Sequence, residues 1–285
     1  MPIFTTHDGT RLAYRVEGQG DPLICLPGGP MRAAEYLGDL GGLAATRRLI
    51  LLDLRGTGDS AAPADEGTYR VDRQVADVEA LRAHLGLERM DLLSHSAGGL
   101  LAQLYAAAHP GRLRRLLMVT PNATALGLPA TPAHRLAAAR LRQHTVPGFD
   151  AAVAAYERIL AGEDEDDALW DRAMPVFYGR WDENARADVE AGARQQNEKA
   201  AAAYSGPGAF DPPATREALR AVTAEVLVLA GEFDGNPPPV LAEEIAAVFP
   251  RGAVAVQPGA AHFPFLDDPA WFAARAERFL AEGLE

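Results

Sequence analysis

The sequence predicts an α/β fold: a mostly parallel β-sheet flanked by helices, with a helical cap inserted between two of its strands. Three observations carry this. Over about the first 120 residues, short apolar runs such as Leu23-Ile24-Cys25-Leu26 alternate with helix-patterned segments, which is how strands buried on both faces read. Roughly a hundred residues, Asn122 to Val222, then show no strand pattern. The strand–helix alternation returns after them, so pieces of one sheet lie on both sides of an insertion.

The elements follow in order. Arg11 to Val16 reads as a strand after the turn at Asp8-Gly9. Pro22 to Leu26 is an apolar run that stops at Pro27-Gly28-Gly29-Pro30, and Arg48 to Leu54 is another that stops at Gly56. Val71 to Leu85 sets Val75, Val78, Leu81 and Leu85 along one side at helical spacing. Met90 to Leu93 is a strand, Ala97 to Ala108 a helix closed by His109-Pro110-Gly111, and Leu113 to Val119 the next strand. The insertion is rich in Ala and Arg and is broken at Pro147-Gly148 and Ser205-Gly206-Pro207-Gly208; its acidic run, Glu163 to Asp167, reads as a solvated face. A strand at Glu225 to Ala230, a helix at Pro239 to Val248, a strand at Ala253 to Val256 and an amphipathic helix at Pro269 to Leu280 close the chain. The expected division is a core of 1–121 and 223–285 with a cap of 122–222. An insertion at a strand's carboxyl end overhangs the place where such sheets bind ligands, which makes the cap a candidate lid.

Composition bounds the function. The chain has 285 residues, 48% of them hydrophobic and 23% charged, as in ordinary globular proteins. A net charge of −12 disfavours binding to a phosphate backbone, which needs clustered cations. Cys25 is the single cysteine, so no intrachain disulfide forms, and its place in an apolar strand makes it a small hydrophobe. Met1 to Leu12 lacks the basic and apolar regions of a signal peptide, and no apolar run nears the roughly 18 residues that span a bilayer. The expectation is a soluble cytoplasmic protein without nucleic-acid or membrane partners, acting on a small molecule or short peptide. Its oligomeric state is not legible. The abundance of Ala and of Arg over Lys points to a GC-rich bacterial source.

The chemistry centres on Ser94-His95-Ser96-Ala97-Gly98, between a strand and a helix. This fits a nucleophile elbow, small-x-Ser-x-Gly, in which small flanking residues let the backbone turn sharply and present the serine hydroxyl. Ser94 stands where glycine is commonest. A serine nucleophile needs a base and the base an orienting acid, in the chain order Ser, Asp/Glu, His. His262, in the loop Gly259-Ala260-Ala261-His262-Phe263-Pro264 after the last strand, is the candidate base. Asp234, in Gly231-Glu232-Phe233-Asp234 after the preceding strand, is the candidate acid, with Glu232 as its rival. Glu232 is read as a cap or a pocket-lining residue, and Asp267 and Asp268 as caps of the final helix. The oxyanion needs preset donors: the Ala97 amide, and an amide of the glycine pair, Gly29, with Gly28 as the alternative. Arg55-Gly56-Thr57-Gly58-Asp59-Ser60 lacks the spacing of a dinucleotide fingerprint. No cofactor is expected, and no His/Cys/Asp cluster has metal-ligand spacing.

At these residues the chain resembles the α/β-hydrolase superfamily over nearly its whole length, and within it the prolyl iminopeptidase (proline aminopeptidase) branch. The carriers are Leu26-Pro27-Gly28-Gly29-Pro30, Asp53-Leu54-Arg55-Gly56-Thr57-Gly58-Asp59-Ser60, the elbow at Ser96, Gly231-Glu232-Phe233-Asp234, and the His262 loop. The resemblance implies an α/β-hydrolase fold with a helical cap over the active site. The chain departs from the branch's His-Gly-Gly-Pro-Gly, Asp-Gln-Arg and Gly-Gly-Ser-Trp-Gly patterns at Pro27, Met31, Leu54 and Ala97. An aminopeptidase must hold a charged amine in a dry pocket, which requires carboxylates. In the branch, cap glutamates do this, which implies Glu183 and Glu198 here, with Trp181 beside them and Gly28 also at the substrate. Three readings stand open: an aminopeptidase releasing N-terminal proline, an esterase or lactonase with the same Ser–Asp–His set, and a non-catalytic binder on the same scaffold. Dehalogenase and epoxide hydrolase chemistry is disfavoured, since position 96 is not a carboxylate.

Overall fold

Side chains alternate along each apolar run, and both of their faces are buried. In the computed structural model, which describes residues 1–163 and 167–284, the strands are β1 (Ile3–Thr5), β2 (Arg11–Glu17), β3 (Asp21–Leu26), β4 (Arg47–Leu52), β5 (Met90–His95), β6 (Leu113–Val119), β7 (Glu225–Gly231) and β8 (Gly252–Gln257). They form one sheet in the order β1-β2-β4-β3-β5-β6-β7-β8. β1 and β2 are antiparallel to their neighbours; β4, β3 and β5 to β8 run parallel. The alternation sends Ile24, Ile50, Leu92, Leu116 and Val226 to one face, and Leu23, Leu49, Leu93, Leu117 and Leu227 to the other. Burying each such side chain contributes about 1.5–3 kcal/mol, so a one-residue slip of any central strand meets a filled layer on either side.

Helices cover both faces. α1 (Val71–His84), α2 (Gly98–Ala108), α8 (Pro212–Leu219) and α9 (Pro239–Ala247) supply Val78, Leu101, Leu219 and Ile245 to the first face. The second is covered by the 3₁₀ turn Ala34–Leu37, the short α10 (Pro264–Asp267) and α11 (Pro269–Glu282), through Leu37, Phe265, Phe272 and Phe279. Between β6 and β7 lie α3 (Pro132–Arg140), α4 (Phe149–Leu160), α5 (Asp167–Ala173), α6 (Glu183–Gln195), α7 (Glu198–Tyr204) and α8. The chain starts four of these with a polar side chain at the N-cap: Thr131, Asp182, Asn197 and Asp211 each accept a first-turn amide. Residues 164–166 of the acidic run lie outside the described residues.

The packing divides the insertion. Ala139, Phe149, Tyr156, Leu169 and Val176 form a hydrophobic cluster of their own, whereas Ala200, Tyr204, Leu219 and Val222 join the cluster of the sheet. The last part of the insertion is thus fixed to the core, and the self-contained part precedes it. One strand expectation is corrected, since the run expected to reach Leu54 ends at Leu52, and the three-residue β1, which carries no readable alternation, adds a strand beside β2. Among the described residues no helix is long and apolar enough to cross a membrane.

Candidate active site

β5 ends at His95 and α2 begins at Gly98, so the chain must reverse within two residues. Ser96 makes the turn in the left-handed region, φ 52°, a conformation costing a non-glycine residue roughly 1–3 kcal/mol and found mostly at functional sites. Close packing explains the glycines around it. A Cβ on Gly98 would stand 2.5 Å from the Pro27 carbonyl oxygen, and one on Gly28 would stand 2.8 Å from the Ser96 Cβ. The loop after β3 is therefore pressed against the elbow.

The turns after β7 and β8 bring two more side chains to the same point. His262 Nε2 lies 2.8 Å from Ser96 Oγ, and His262 Nδ1 lies 2.9 Å from Asp234 Oδ2. Asp234 is 3% exposed, and its other oxygen accepts the Asn236 amide at 2.8 Å. Ser96, Asp234 and His262, expected from the sequence, thus form one hydrogen-bonded row. Glu232, the rival acid, points away: its carboxylate accepts the Gly259 amide at 2.7 Å and braces the histidine loop.

The His262 backbone is held from three sides. Its carbonyl accepts from His95 Nε2 at 2.9 Å and from Thr120 Oγ1 at 3.0 Å, and its amide donates to the Phe177 carbonyl at 2.9 Å. The His95 tautomer follows from its partners. The Gly28 amide donates to the Tyr36 hydroxyl at 2.7 Å, so that hydroxyl gives its proton to His95 Nδ1, 2.7 Å away, leaving the hydrogen of His95 on Nε2 for the carbonyl of His262. Complete burial pushes the His95 pKa well below the usual histidine range, and the neighbouring His262 acts in the same direction. His95 is a neutral structural link. Asp53, of the motif after β4, accepts the Ala34 amide at 2.8 Å and so fixes the turn that carries Tyr36.

The three amides expected at the oxyanion divide into engaged and free. The Gly28 amide is taken by Tyr36. Those of Gly29 and Ala97 have no acceptor among the described residues. What separates Gly29 from Gly28 is therefore a hydrogen bond to a residue eight positions away, which no local pattern displays.

A cavity of about 400 Å³ opens above Ser96 and His262. Its apolar wall includes Trp170, Met174, Phe177 and Phe263, most of it from the insertion. Its polar residues include Arg32, Arg135, Asp188, Gln196 and Asn236. Arg32 and Asp188 neutralise each other through contacts of 2.7 and 3.2 Å, and the Tyr178 hydroxyl donates to Asp188 at 2.7 Å. The expected substrate glutamates are elsewhere. Glu183 and Glu198 are the exposed first residues of α6 and α7, and neither lines the cavity. Trp181 packs on Tyr178 and under Arg186, outside the cavity lining. Helix-start carboxylates favour the positive end of a helix dipole, which accounts for both glutamates without a ligand.

One cap expectation also changes. Asp268 caps α11 through the Trp271 amide, as expected. Asp267 instead accepts the Gly179 amide from the insertion and the Ala261 amide beside His262, both at 2.8 Å. It ties the cavity wall to the histidine loop.

Known proteins are similar to this chain over most of its length. A family model described as the alpha/beta hydrolase fold matches residues 21–269. A proline iminopeptidase of Lactiplantibacillus plantarum is 26% identical over 96% of this chain and 98% of its own. A 2-hydroxymuconate semialdehyde hydrolase of Pseudomonas putida is 27% identical over 96% and 92%. Among solved structures, the esterase RhEst1 of a Rhodococcus species superposes with a TM-score of 0.69 at 26% identity, covering 99% of both chains.

Proposed function

The chain belongs to the α/β-hydrolase family, and from that premise we propose that it hydrolyses small ester-type acyl substrates through an acyl-enzyme on Ser96. The observation that carries this is the His262 ring, set between the Ser96 hydroxyl and the Asp234 carboxylate. His262 takes the Ser96 proton as the oxygen attacks the acyl carbon, and then hands it to the leaving alcohol. Asp234 holds the ring with Nδ1 protonated and stabilises the cation that forms. The free amides of Gly29 and Ala97 receive the oxyanion, a contribution commonly of about 3–4 kcal/mol per donor. Water then enters by the same route in reverse and frees the acid.

An ester substrate fits the cavity better than a peptide with a free terminal amine. A buried ammonium without a carboxylate partner is destabilised by several kcal/mol. Among the described residues, the acid lining the cavity, Asp188, is already engaged by Arg32 and Tyr178, and Asp234, behind His262, is engaged by that ring. The relatives' names include both a proline iminopeptidase and a 2-hydroxymuconate semialdehyde hydrolase, so likeness to them does not favour the peptidase.

The test is p-nitrophenyl butyrate against proline p-nitroanilide, with Ser96→Ala as the control. The expected outcome is ester turnover, no arylamide turnover, and a fall in kcat of on the order of 10³-fold or more in Ser96→Ala. Fast arylamide release would return the proline aminopeptidase reading, and undiminished turnover by Ser96→Ala would remove the serine from the mechanism.

A further inference from the structure

We propose that Arg135 makes the cavity selective for substrates that carry a carboxylate a few bonds from the scissile ester; this rests on the ester-hydrolase reading above. Arg135 lies in the first half of α3 and lines the cavity together with Ser96, His262 and Asn236. Its Cα packs against Gly235, where a Cβ would come within 2.7 Å, so the residue is fixed beside the Asp234 turn rather than carried on a loose loop.

What sets Arg135 apart is that, among the described residues, it has neither an acid nor a backbone carbonyl as partner. The other deeply set arginines are matched: Arg32 with Asp188, Arg47 with Glu277, Arg55 with Asp77. Arg142 has no acid either and its Nε is likewise buried without an acceptor, but its two terminal nitrogens donate to the backbone carbonyls of Tyr178 and Val176 and it lies over the Phe149 ring. Among the described residues no carboxylate comes within 4 Å of Arg135, its Nε is buried without a hydrogen-bond acceptor, and the Tyr156 hydroxyl, Asp234 and Asn236 line a small pocket beside it. A guanidinium offers a planar fork that suits a carboxylate in two parallel hydrogen bonds. The acceptor missing from the protein is the one an anionic substrate brings. Arg32 does not compete for it, since its fork is filled by Asp188 and Gln195. The remaining wall is aromatic and would hold the hydrocarbon between the two ends of such a molecule.

The experiment compares mono-p-nitrophenyl glutarate with its methyl ester, the same molecule without the charge. The wild type should favour the free acid by at least about tenfold in kcat/KM. Arg135→Gln should lower that ratio by at least about tenfold, and Arg135→Lys, which keeps a point charge without the fork, should retain part of it. Because a ratio is read, any loss common to both substrates cancels. Calorimetry of glutarate binding to Ser96→Ala, and to Ser96→Ala carrying Arg135→Gln, reads the anion site without turnover. Turnover of both esters with an unchanged ratio, or glutarate binding that survives Arg135→Gln, overturns the inference and leaves the hydrolase standing. Arg135-dependent glutarate binding without ester turnover keeps the anion site and overturns the hydrolase.

Discussion

Ser94 shows how narrowly the elbow constrains each side chain. It sits two residues before Ser96, fully buried, and among the described residues its hydroxyl has no hydrogen-bond partner. A buried unsatisfied hydroxyl is destabilising by about 1–3 kcal/mol, so Ser94→Ala should stabilise the protein by about 1 kcal/mol, read as a higher urea midpoint at an unchanged slope. A lower midpoint would mean that the hydroxyl has a partner. At this scale the sequence is readable where chemistry follows chain order. Ser96, Asp234 and His262 each stand in a turn after a strand, and their order alone nominates them. Tyr36, Arg32 and Arg135 carry no such signal: Tyr36 acts through a histidine 59 residues away and Arg32 through an aspartate 156 away. Glu183 and Glu198 stand out by charge and resemblance, but charge at a helix start reports the dipole as readily as a ligand.

Elements are legible in proportion to their length. β3, β4, β6 and β7 carry continuous apolar runs such as Leu49-Ile50-Leu51-Leu52, whereas β1 and α10 are too short for any period to register. The joint between α1 and α2 illustrates what periodicity leaves out. Glu79 on α1 accepts from Arg82 of the same helix at 2.6 and 2.8 Å and from the Tyr105 hydroxyl of α2 at 2.8 Å. The Arg82 hydrogen bond, reinforced by Tyr105 and opposed by partial burial, holds the Glu79 carboxyl down at about 2, against its usual 4.5. A depressed carboxyl stabilises the fold fully above the unfolded value and loses that contribution as pH falls toward the folded one. Glu79→Gln should therefore be less stable than wild type at pH 7, with the gap narrowing steadily below about pH 4.5. Urea midpoints measured from about pH 7 down to about pH 3 check this. A gap that stays constant over the whole range would show that the charge of Glu79 contributes nothing at this joint.

At the scale of the whole molecule, the sequence marks where the insertion begins but not how it is held down. Backbone hydrogen bonds join it to the loop after β3, from the Ala33 amide to the Gln195 carbonyl and from the Asn197 amide to the Met31 carbonyl. Asp267 and the Phe177 carbonyl join it to the histidine loop. At the first of these joints sits the Arg32–Asp188 pair, with side chains only 9% and 8% exposed. Two ions so deeply placed lose much of their hydration, and their mutual attraction roughly offsets that loss. Removing one partner is a different matter, because the survivor stays buried and unpaired. Asp188→Asn should thus destabilise the protein by about 3–5 kcal/mol, while the double change Arg32→Met with Asp188→Leu should recover most of that loss. A double-mutant cycle by urea unfolding separates the two possibilities. If the double variant is as unstable as Asp188→Asn, the pair itself is what fastens the insertion to the core. If it recovers, the backbone bonds and apolar contacts suffice, and the pair's effect is to leave Asp188 without a free oxygen for a cationic substrate.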